Sequence, residues 1–239
     1  MKQFIKRVLR KAGWELSRTQ RRSHATMAQG LELLSLYGFN IKTVLDVGAS
    51  NGSWSKECLK FFPKSNYVLF EPQPIHNDAL NLFVKSNEQV RVIKKAVGAS
   101  EGYTFFDASD EFGGALASSG VDDNAIKVEM TTLDASVFQL QVAPSYLIKL
   151  DTHGFERSIL QGAGSVIDKT EILIIEAYNY RITDEAFLFW ELCAYLADKG
   201  FRPVDLVDVL HRQYDNSLWQ MDLLFIKDDW KGFSYLSYK

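Results

Sequence analysis

Two short apolar runs in the first third of the chain end in groups that can bind a ligand. Residues 43–47 run into a turn bracketed by Gly48 and Gly52, and residues 67–70 end in Glu71. At the end of a buried strand, a glycine turn lets the backbone approach a ligand, and a lone carboxylate can accept hydrogen bonds from both hydroxyls of a ribose. The two segments therefore predict a nucleoside pocket.

The spacing of these groups distinguishes between nucleoside ligands. Asp46 and Glu71 are 25 residues apart, close to the roughly 20 residues that separate a strand–helix turn from its ribose-binding acid. A dinucleotide turn reads G-x-G-x-x-G, and its middle glycine admits the pyrophosphate, but Ser50 occupies that place here. A ligand without phosphates, such as S-adenosylmethionine, is therefore expected, and a nicotinamide enzyme is the weaker alternative.

We expect the cofactor to be held by the glycine turn and by the ends of the second and third strands. Asp46 and Gly48 would hold its methionine end, and Glu71 would bind its ribose. The other predicted cofactor residues close the turn or follow the second and third strands: Ala49, Asn51, Gly52, Pro72, Ala96 and Val97. Of these, Ala96 and Val97 would contact adenine, on the basis of their position in the fold.

The composition is ordinary for a soluble globular protein. The 239 residues are 46% hydrophobic and 24% charged, which is enough for one large domain with its own core. No apolar run approaches 18 residues, so no membrane-spanning helix is predicted. Cys58 and Cys193 have neither metal nor redox spacing, which indicates thiols in a reducing compartment and a cytoplasmic protein. Nothing in the sequence indicates an oligomeric state.

A basic arm at residues 1–22 contrasts with the acidic remainder of the chain. It carries eight basic residues against Glu15, a net charge of +7, whereas the whole chain carries −3. Its apolar residues follow helical spacing up to Gly13, and it lacks the apolar core of a secretory signal. We expect either peripheral contact with the inner face of an anionic membrane or a solvated helix. Nucleic acid is not expected as a partner, because the acidic remainder would repel phosphate.

Strands and helices are predicted to alternate through residues 23–239, which form one domain. In the first half they are strands at 43–47, 67–70 and 90–96 and helices at 54–62 and 74–85. This order is typical of a parallel sheet with helices on both faces. Residues 98–132 interrupt the order as an insertion. Because residues 109–124 are rich in Gly, Ser and Asp, we expect a surface loop that either acts as a lid over the ligand or is a plain excursion.

The alternation resumes after the insertion and predicts a Rossmann-like α/β fold. The sheet is expected to have seven mostly parallel strands with a reversed edge strand. The elements of the second half are strands at 146–150, 171–175, 202–206 and 222–226 and helices at 154–161 and 184–199. Asp184 is the predicted cap of the last helix and Gly200 its stop. The last two strands are expected to pair as an edge hairpin with residues 211–217 as its loop.

Five blocks of the chain resemble the FkbM family of class I S-adenosylmethionine-dependent methyltransferases. Residues 147–156 read Leu-Ile-Lys-Leu-Asp-Thr-His-Gly-Phe-Glu, similar to the family's I-K-x-D-x-E-G-x-E, and residues 160–163 match its L-x-G-A. Residues 45–49, 70–72 and 132–134 also resemble family blocks, in the same order. The resemblance implies the class I methyltransferase fold and O-methylation of hydroxyls on natural products or saccharides.

The resemblance covers about residues 40–180 and departs from the family at one position where chemistry is expected. The family commonly has an acid or an amide where this chain has His153. Any role that the family residue plays is therefore not transferred to this position. The imidazole becomes a candidate catalytic group in its own right.

Methyl transfer to a sugar hydroxyl requires a base or a metal, because a hydroxyl is a poor nucleophile. Four side chains at the predicted ends of the fourth and fifth strands can reach the reacting atoms: Asp151, His153, Glu156 and Glu176. In one mechanism His153 accepts the hydroxyl proton, oriented by Asp151 or Glu156, since the unperturbed pKa of histidine lies near working pH. In the other, Asp151 and Glu176 bind a divalent cation such as Mg²⁺. Tyr178 would line the acceptor site.

These observations lead to a specific expectation about function. The chain is expected to be a cytoplasmic O-methyltransferase that methylates a hydroxyl of a saccharide or glycoconjugate. The basic arm favours a saccharide, because it suggests work near a membrane, where lipid-linked glycans are assembled. Two alternatives remain open: O-methylation of a polyketide or other small natural product, and a non-catalytic module that binds S-adenosylmethionine and supports a partner glycosyltransferase.

Overall fold

The computed structural model describes residues 26–107 and 125–238. The basic arm predicted at residues 1–22 and the loop predicted at residues 109–124 lie outside these ranges. Within them, none of the helices is both long enough and apolar enough to cross a membrane.

Strands and helices alternate through the first part of the described chain, as predicted. They are α1 (Met27–Leu36), β1 (Thr43–Val47), α2 (Ser53–Cys58), β2 (Asn66–Phe70), a 3₁₀ turn (Pro74–His76), α3 (Asn77–Lys85) and β3 (Val90–Ile93). The side chain of Thr26 caps α1 by accepting a hydrogen bond from the backbone N–H of Gln29. Pro74 starts the 3₁₀ turn, where its fixed φ suits a helical start.

A second, three-stranded sheet follows β3 and corrects the predicted strand at residues 90–96. Its strands are β4 (Ala96–Val97), β5 (Gly102–Asp107) and β6 (Ala125–Thr131), in the order β4-β6-β5. Ala96 pairs with Met130 rather than continuing the main sheet. The predicted run therefore divides between two sheets, because its last residues find their hydrogen-bond partners some 35 residues further along the chain.

The second half of the chain returns to alternating elements. They are α4 (Leu133–Leu140), β7 (Tyr146–Leu150), α5 (Glu156–Gln161), α6 (Gly164–Ile167), β8 (Thr170–Tyr178), α7 (Phe189–Ala197), β9 (Phe201–His211), β10 (Leu218–Lys227) and a 3₁₀ turn (Lys231–Ser234). The prediction that Asp184 caps the last helix is wrong. Leu188 is the N-cap residue of α7, and its backbone N–H donates to the Glu191 carboxylate at 3.0 Å. Gly200, at φ +75°, follows the helix as predicted.

The main sheet has seven strands in the order β3-β2-β1-β7-β8-β10-β9. The pairs among β3, β2, β1, β7 and β8 are parallel, and β10 runs antiparallel to both of its neighbours. The predicted Rossmann-like α/β fold with a mostly parallel seven-stranded sheet is confirmed. The reversed strand is β10, one place in from the edge, and it pairs with β9 in the predicted hairpin.

Both faces of the sheet are covered, which explains why its central strands read as continuous apolar runs. Alternate residues of β1 enter opposite cores, with Leu45 in one and Val44 in the other. The helix α1 buries Leu31 and Leu34 against the Val44 face, and α5 buries Ile159 against the Leu45 face. Each such side chain contributes about 1.5–3 kcal/mol of burial free energy. This packing fixes the carboxyl ends of β1, β2, β7 and β8 along one edge.

Candidate active site

A cavity of about 380 Å³ lies along the carboxyl edge of the main sheet. This volume is within the range of small-molecule sites, and the position is where open α/β sheets bind ligands. Eight predicted site residues line it: Gly48, Glu71, Pro72, Ala96, Val97, Asp151, His153 and Glu176. Five others do not: Asp46, Ala49, Asn51, Gly52 and Glu156.

Gly48 brings the end of β1 against the end of β7. Its φ is +79°, and a Cβ built on it would lie 2.0 Å from the carbonyl oxygen of Asp151. No residue other than glycine fits so close a backbone contact in this conformation. The turn that follows β1 therefore holds the Asp151 backbone beside it, which places the predicted cofactor turn next to the predicted catalytic strand end.

Glu71 is held rigidly at the end of β2. One carboxylate oxygen accepts a hydrogen bond from the backbone N–H of Gln73 at 2.8 Å, and the other accepts one from Ser50 at 2.7 Å. Burial raises the pKa of this carboxyl, while the two amides and His76 lower it. Each oxygen keeps a second lone pair for a ligand. A carboxylate that is fixed by backbone and borders the cavity suits the two ribose hydroxyls, as predicted.

Two residues beside Glu71 were missed by the sequence reasoning. His76 is buried and lines the cavity, and its Nε2 lies 3.4 Å from the hydroxyl oxygen of Ser50, which also lines it. Ser50 has φ +49°, a left-handed conformation that is unusual for serine. A histidine three residues after Gln73 has no recognisable spacing, so only the 3₁₀ turn reveals that it faces the pocket.

Asp46, which the sequence predicts to hold the methionine end, lies beneath the cavity and does not line it. Its carboxylate is fully buried, and one oxygen accepts a hydrogen bond from the hydroxyl of Ser55 at 2.6 Å. The other oxygen has no hydrogen-bond partner among the described residues. Burial raises the pKa of Asp46, and the nearby Lys149 ammonium opposes that effect. Asp46 therefore ties the strand β1 to the helix α2 and to Lys149.

The other predicted turn residues also support the turn from behind. Ala49 is buried in the apolar core, and the Asn51 side chain accepts a hydrogen bond from the backbone N–H of Ser53 at 3.0 Å. Gly52, at φ +78°, begins α2 in a left-handed conformation, and a Cβ there would meet Phe83 at 3.2 Å. These residues shape the turn, and the cavity wall is made by their neighbours.

Lys149 and Asp151 form an ion pair at the end of β7. The Lys149 ammonium donates to the Asp151 carboxylate at 2.6 Å, and the lysine is almost completely buried. Burial alone would lower the pKa of Lys149, but the carboxylates of Asp151, Asp46 and Asp222 raise it. Burial likewise opposes ionisation of Asp151, and Lys149 overcomes this and lowers its pKa. Asp151 is therefore a carboxylate at the cavity wall with a fixed direction.

His153 lies at the wall of the cavity in a hydrogen-bonded chain with two residues of β8. Its Nδ1 is 2.8 Å from the hydroxyl of Tyr178 and 3.3 Å from a carboxylate oxygen of Glu176. Tyr178 donates its hydroxyl proton to that same oxygen, and the amide of Gln220 donates to the other oxygen of Glu176. Glu176 and Tyr178 are two residues apart on one strand, so they share a face of the sheet.

Glu156 holds the loop that carries His153 and does not border the cavity, which corrects its predicted catalytic role. One of its oxygens accepts hydrogen bonds from the Thr152 hydroxyl at 3.0 Å and from the backbone N–H of Gly154 at 3.2 Å. Burial raises the pKa of this carboxyl. The loop needs such support because His153 has φ +51°, a conformation that costs about 1–2 kcal/mol for a residue with a Cβ.

Asp151, His153 and Glu176 can each offer one ligand atom to a cation. Those three atoms lie within 4.8 Å of one another. The predicted pair of carboxylates therefore gains a histidine as a third candidate ligand. Nitrogen and oxygen donors in this number suit a divalent metal with open positions, although the Lys149 ammonium beside Asp151 would repel one.

Comparison with known proteins places these residues in a family. The profile described as the methyltransferase FkbM domain matches residues 46–203. Among curated proteins, no sequence matches the chain.

Solved structures of similar fold include a methyltransferase FkbM from Methylobacillus flagellatus KT, at 17% sequence identity and a TM-score of 0.50. That match covers 77% of this chain, which spans only 43% of the length of that structure. Sp1610 of Streptococcus pneumoniae, in complex with S-adenosyl-L-methionine, is 16% identical with a TM-score of 0.47, covering 83% of this chain and 72% of that one. The Methanococcus jannaschii fibrillarin pre-rRNA processing protein is 14% identical with a TM-score of 0.49, covering 79% and 67%.

The similarity to the Methylobacillus flagellatus structure supports the fold, and the domain profile identifies the family. The profile spans more than half of the chain and includes both Glu71 and His153. The carboxylate of Glu71 is fixed at the cavity wall as an adenosyl ribose requires. The chain therefore carries the domain of an S-adenosylmethionine-dependent methyltransferase, and it belongs to the FkbM methyltransferase family.

Proposed function

We propose that this chain transfers the methyl group of S-adenosylmethionine to a hydroxyl of a saccharide or glycoconjugate, with His153 as the general base. The observation that supports this most directly is the hydrogen-bonded chain of His153, Tyr178 and Glu176 at the cavity wall. Such a chain orients an imidazole and raises its basicity. An O-methyltransferase needs such an oriented and basic imidazole at the acceptor hydroxyl.

The hydrogen bonds among His153, Tyr178 and Glu176 support Nε2 as the histidine nitrogen that acts as the base. Burial and the Glu176 carboxylate raise the pKa of Tyr178, so its hydroxyl stays protonated. A phenol has one proton, and Tyr178 donates it to Glu176. The Nδ1 of His153 must then carry the proton of its contact with Tyr178. The lone pair of the neutral ring therefore lies on Nε2, and this atom accepts the proton of the acceptor hydroxyl.

The charges around the cavity suit the donor as well as the acceptor. Bound S-adenosylmethionine supplies the methyl group from a sulfonium that carries a positive charge. The carboxylates of Glu71, Asp151 and Glu176 line the cavity and favour a cationic ligand. Asp151 stays ionised because Lys149 lowers its pKa. The residues thus hold the ribose at Glu71 and direct the reacting end of the ligand toward His153.

A metal-assisted reaction is the competing mechanism for the same function. Mg²⁺ bound by Asp151, Glu176 and His153 would acidify the acceptor hydroxyl. Two contacts weigh against it, because Lys149 occupies an oxygen of Asp151 and Tyr178 occupies an oxygen of Glu176. A cation would have to displace or outcompete both. The base mechanism uses the side chains in the arrangement that they already have.

The experiment that tests the proposal uses labelled methyl donor, a panel of cell-envelope glycans and small hydroxylated natural products, with and without EDTA. We expect label in a saccharide, no effect of EDTA, and a fall in kcat of about 10²–10⁴-fold in His153→Gln. His211→Gln, on the exposed end of β9, is the matched control and should behave as wild type. Label only in a non-sugar product would reject the saccharide, and loss of activity with EDTA would reject the base mechanism.

The same variant tests the alternative of a non-catalytic module. S-Adenosylhomocysteine should bind His153→Gln as it binds wild type, because the ribose carboxylate of Glu71 is untouched. The enzymatic proposal would fail if wild type bound S-adenosylhomocysteine tightly but transferred labelled methyl to no acceptor, while the activity of a partner glycosyltransferase rose in the presence of wild type.

A further inference from the structure

An aromatic platform lies where β8 ends and β10 begins, against Tyr178, the hydrogen-bond partner of His153. Its two rings, Tyr180 and Trp219, are stacked with centroids 5.1 Å apart and an interplanar angle of 30°. Trp219 also meets the ring of Tyr178 edge-on at 6.2 Å. Neither Tyr180 nor Trp219 is fully buried. The platform is therefore continuous, through Tyr178, with the hydrogen-bonded chain of His153.

We propose that this platform is the acceptor subsite, and that it binds a pyranose ring of the saccharide that carries the reacting hydroxyl. This inference rests on the proposed function. The direction of the sheet edge supports it. Along the strand order β2-β1-β7-β8-β10, the ribose carboxylate lies on β2, His153 follows β7, and Trp219 lies on β10. An acceptor must attack the methyl carbon opposite the sulfur, and with the adenosyl group held at the β2 end, the β8 and β10 end is the side that it can approach from.

The platform is held rigid by the hairpin loop between β9 and β10. The Arg212 guanidinium lies 4.5 Å from the centre of the Tyr180 ring and forms a two-pronged ion pair with Asp215, at 2.8 and 2.6 Å. Asp215 also accepts hydrogen bonds from the backbone and hydroxyl of Ser217, whose hydroxyl is 2.6 Å from that of Tyr180. Rings held in this way lose little freedom when a ligand binds, which favours affinity.

The chemistry of this surface fits a sugar ring better than a flat apolar ligand. A pyranose has one face of C–H groups surrounded by hydroxyls, and it needs an aromatic face with hydrogen-bonding groups at the edge. Trp219 offers the aromatic face. The Tyr180 ring that stacks on it carries its own hydroxyl and contacts the Ser217 hydroxyl and the Arg212 guanidinium. On the cavity side, Gln220 is next in sequence to Trp219 and lines the wall near His153.

The test is saturation-transfer NMR on the full chain with saturating S-adenosylhomocysteine, using methyl glycosides of common hexoses and 4-nitrophenol as probes. We expect transfer to the ring C–H protons of at least one glycoside. Trp219→Leu, which keeps an apolar side chain without the aromatic face, should weaken that binding by about tenfold or more. Trp219→Phe should retain most of it. Trp190→Leu, a half-exposed tryptophan on α7, is the matched control and should change nothing.

The outcomes separate this inference from the proposed function. If a saccharide is methylated and Trp219→Leu leaves its KM unchanged, the subsite is wrong and the function stands. If glycosides bind at Trp219 but only a non-sugar acceptor is methylated, the function is wrong. Binding of 4-nitrophenol alone, or of no probe, overturns the sugar platform. The affinity for S-adenosylhomocysteine should change by less than about twofold in every folded variant, which excludes a general structural effect.

Discussion

The ring nitrogen Nδ1 of His153, in the loop after β7, lies 2.8 Å from the hydroxyl oxygen of Tyr178, which ends β8 and is 25 positions further along the chain. This contact ties the loop after β7 to the end of β8. It constrains the orientation of the histidine ring, whose Nε2 lies 4.0 Å from a carboxylate oxygen of Asp151. Under the proposed mechanism, the activity of His153 therefore depends on Tyr178.

Removing the Tyr178 hydroxyl should slow catalysis without impairing binding of the cofactor. In Tyr178→Phe the Nδ1 of His153 loses the hydroxyl contact and keeps the Glu176 oxygen at 3.3 Å, so the ring is less firmly oriented. We expect kcat to fall by about tenfold, the equivalent of one lost hydrogen bond, with no change in affinity for S-adenosylhomocysteine. Steady-state kinetics measure this. Tyr195→Phe, whose ring packs on Phe187, is the control, and an equal loss there would contradict the assignment.

Neutralising Glu71 should weaken binding of the cofactor rather than slow the chemical step. In Glu71→Gln an amide N–H₂ replaces one carboxylate oxygen and faces a backbone N–H, either that of Ser50 or that of Gln73. The loss of charge-assisted hydrogen bonds costs about 1.5–3 kcal/mol. We expect the Kd for S-adenosylhomocysteine to rise by about 10–100-fold in calorimetry. Glu88→Gln, on the exposed surface, should bind normally, and unchanged affinity in Glu71→Gln would remove the ribose assignment.

Gly48 and Gly38 form a natural pair for testing the close approach of β1 and β7. Their φ values are +79° and +80°, but a Cβ on Gly48 would lie 2.0 Å from the Asp151 carbonyl oxygen, whereas nothing lies within 4 Å of one on Gly38. Gly38→Ala should lower the free energy of unfolding by about 1–2 kcal/mol, the cost of left-handed backbone. Gly48→Ala should lower it by at least about 2 kcal/mol more.

Urea unfolding of both glycine variants measures that difference. Gly48→Ala should also lose affinity for S-adenosylhomocysteine, because relieving the contact moves the turn that lines the cavity. Equal stability of the two variants would show that the turn can shift without cost. The close contact would then have no part in shaping the site.

The strands that carry the site were predictable because their burial leaves a local signal. β1 and β7 occur at the predicted bounds, since both are fully buried and mostly apolar, with one buried charged residue each, Asp46 and Lys149. The split of residues 90–96 between two sheets was not predictable, because Ala96 pairs with Met130, which is remote in sequence. The early start predicted for α7 has a similar cause, since the capping carboxylate of Glu191 lies inside the helix rather than before it.

The identity of the acidic residues was visible in the sequence, but the direction of their side chains was not. Glu71 and Asp46 both end or nearly end apolar runs, yet only Glu71 reaches the cavity, and Asp46 bonds to Ser55 below it. Glu156 follows His153 closely but points back into the loop. The contact between Gln220 and Glu176 depends on the pairing of β8 with β10 and has no trace in local sequence.

Asp222 should make the stability of the fold fall as pH rises. It lies opposite Glu176 in the pairing of β8 with β10. Burial raises its pKa to about 7; the Lys149 ammonium opposes the shift, and the carboxylates of Asp151, Glu176 and Asp208 add to it. An acid whose folded pKa exceeds its unfolded value of about 3.9 binds more protons in the folded state between those values. Asp222 therefore does not lower the free energy of unfolding below about pH 4, and it lowers that free energy by the full amount above about pH 7.

Asp222→Asn should remove this pH dependence, because the amide stays neutral in both states. We expect the variant to be more stable than wild type at pH 8 by more than about 1.4 kcal/mol, the equivalent of one pKa unit, and to approach wild type near pH 4. Urea unfolding across this range measures the two curves. Asp229→Asn, on the exposed surface after β10, should run parallel to wild type. If Asp222→Asn is instead less stable than wild type at pH 8, the prediction is wrong. The Asp222 carboxylate is then needed as a charged partner of Lys149.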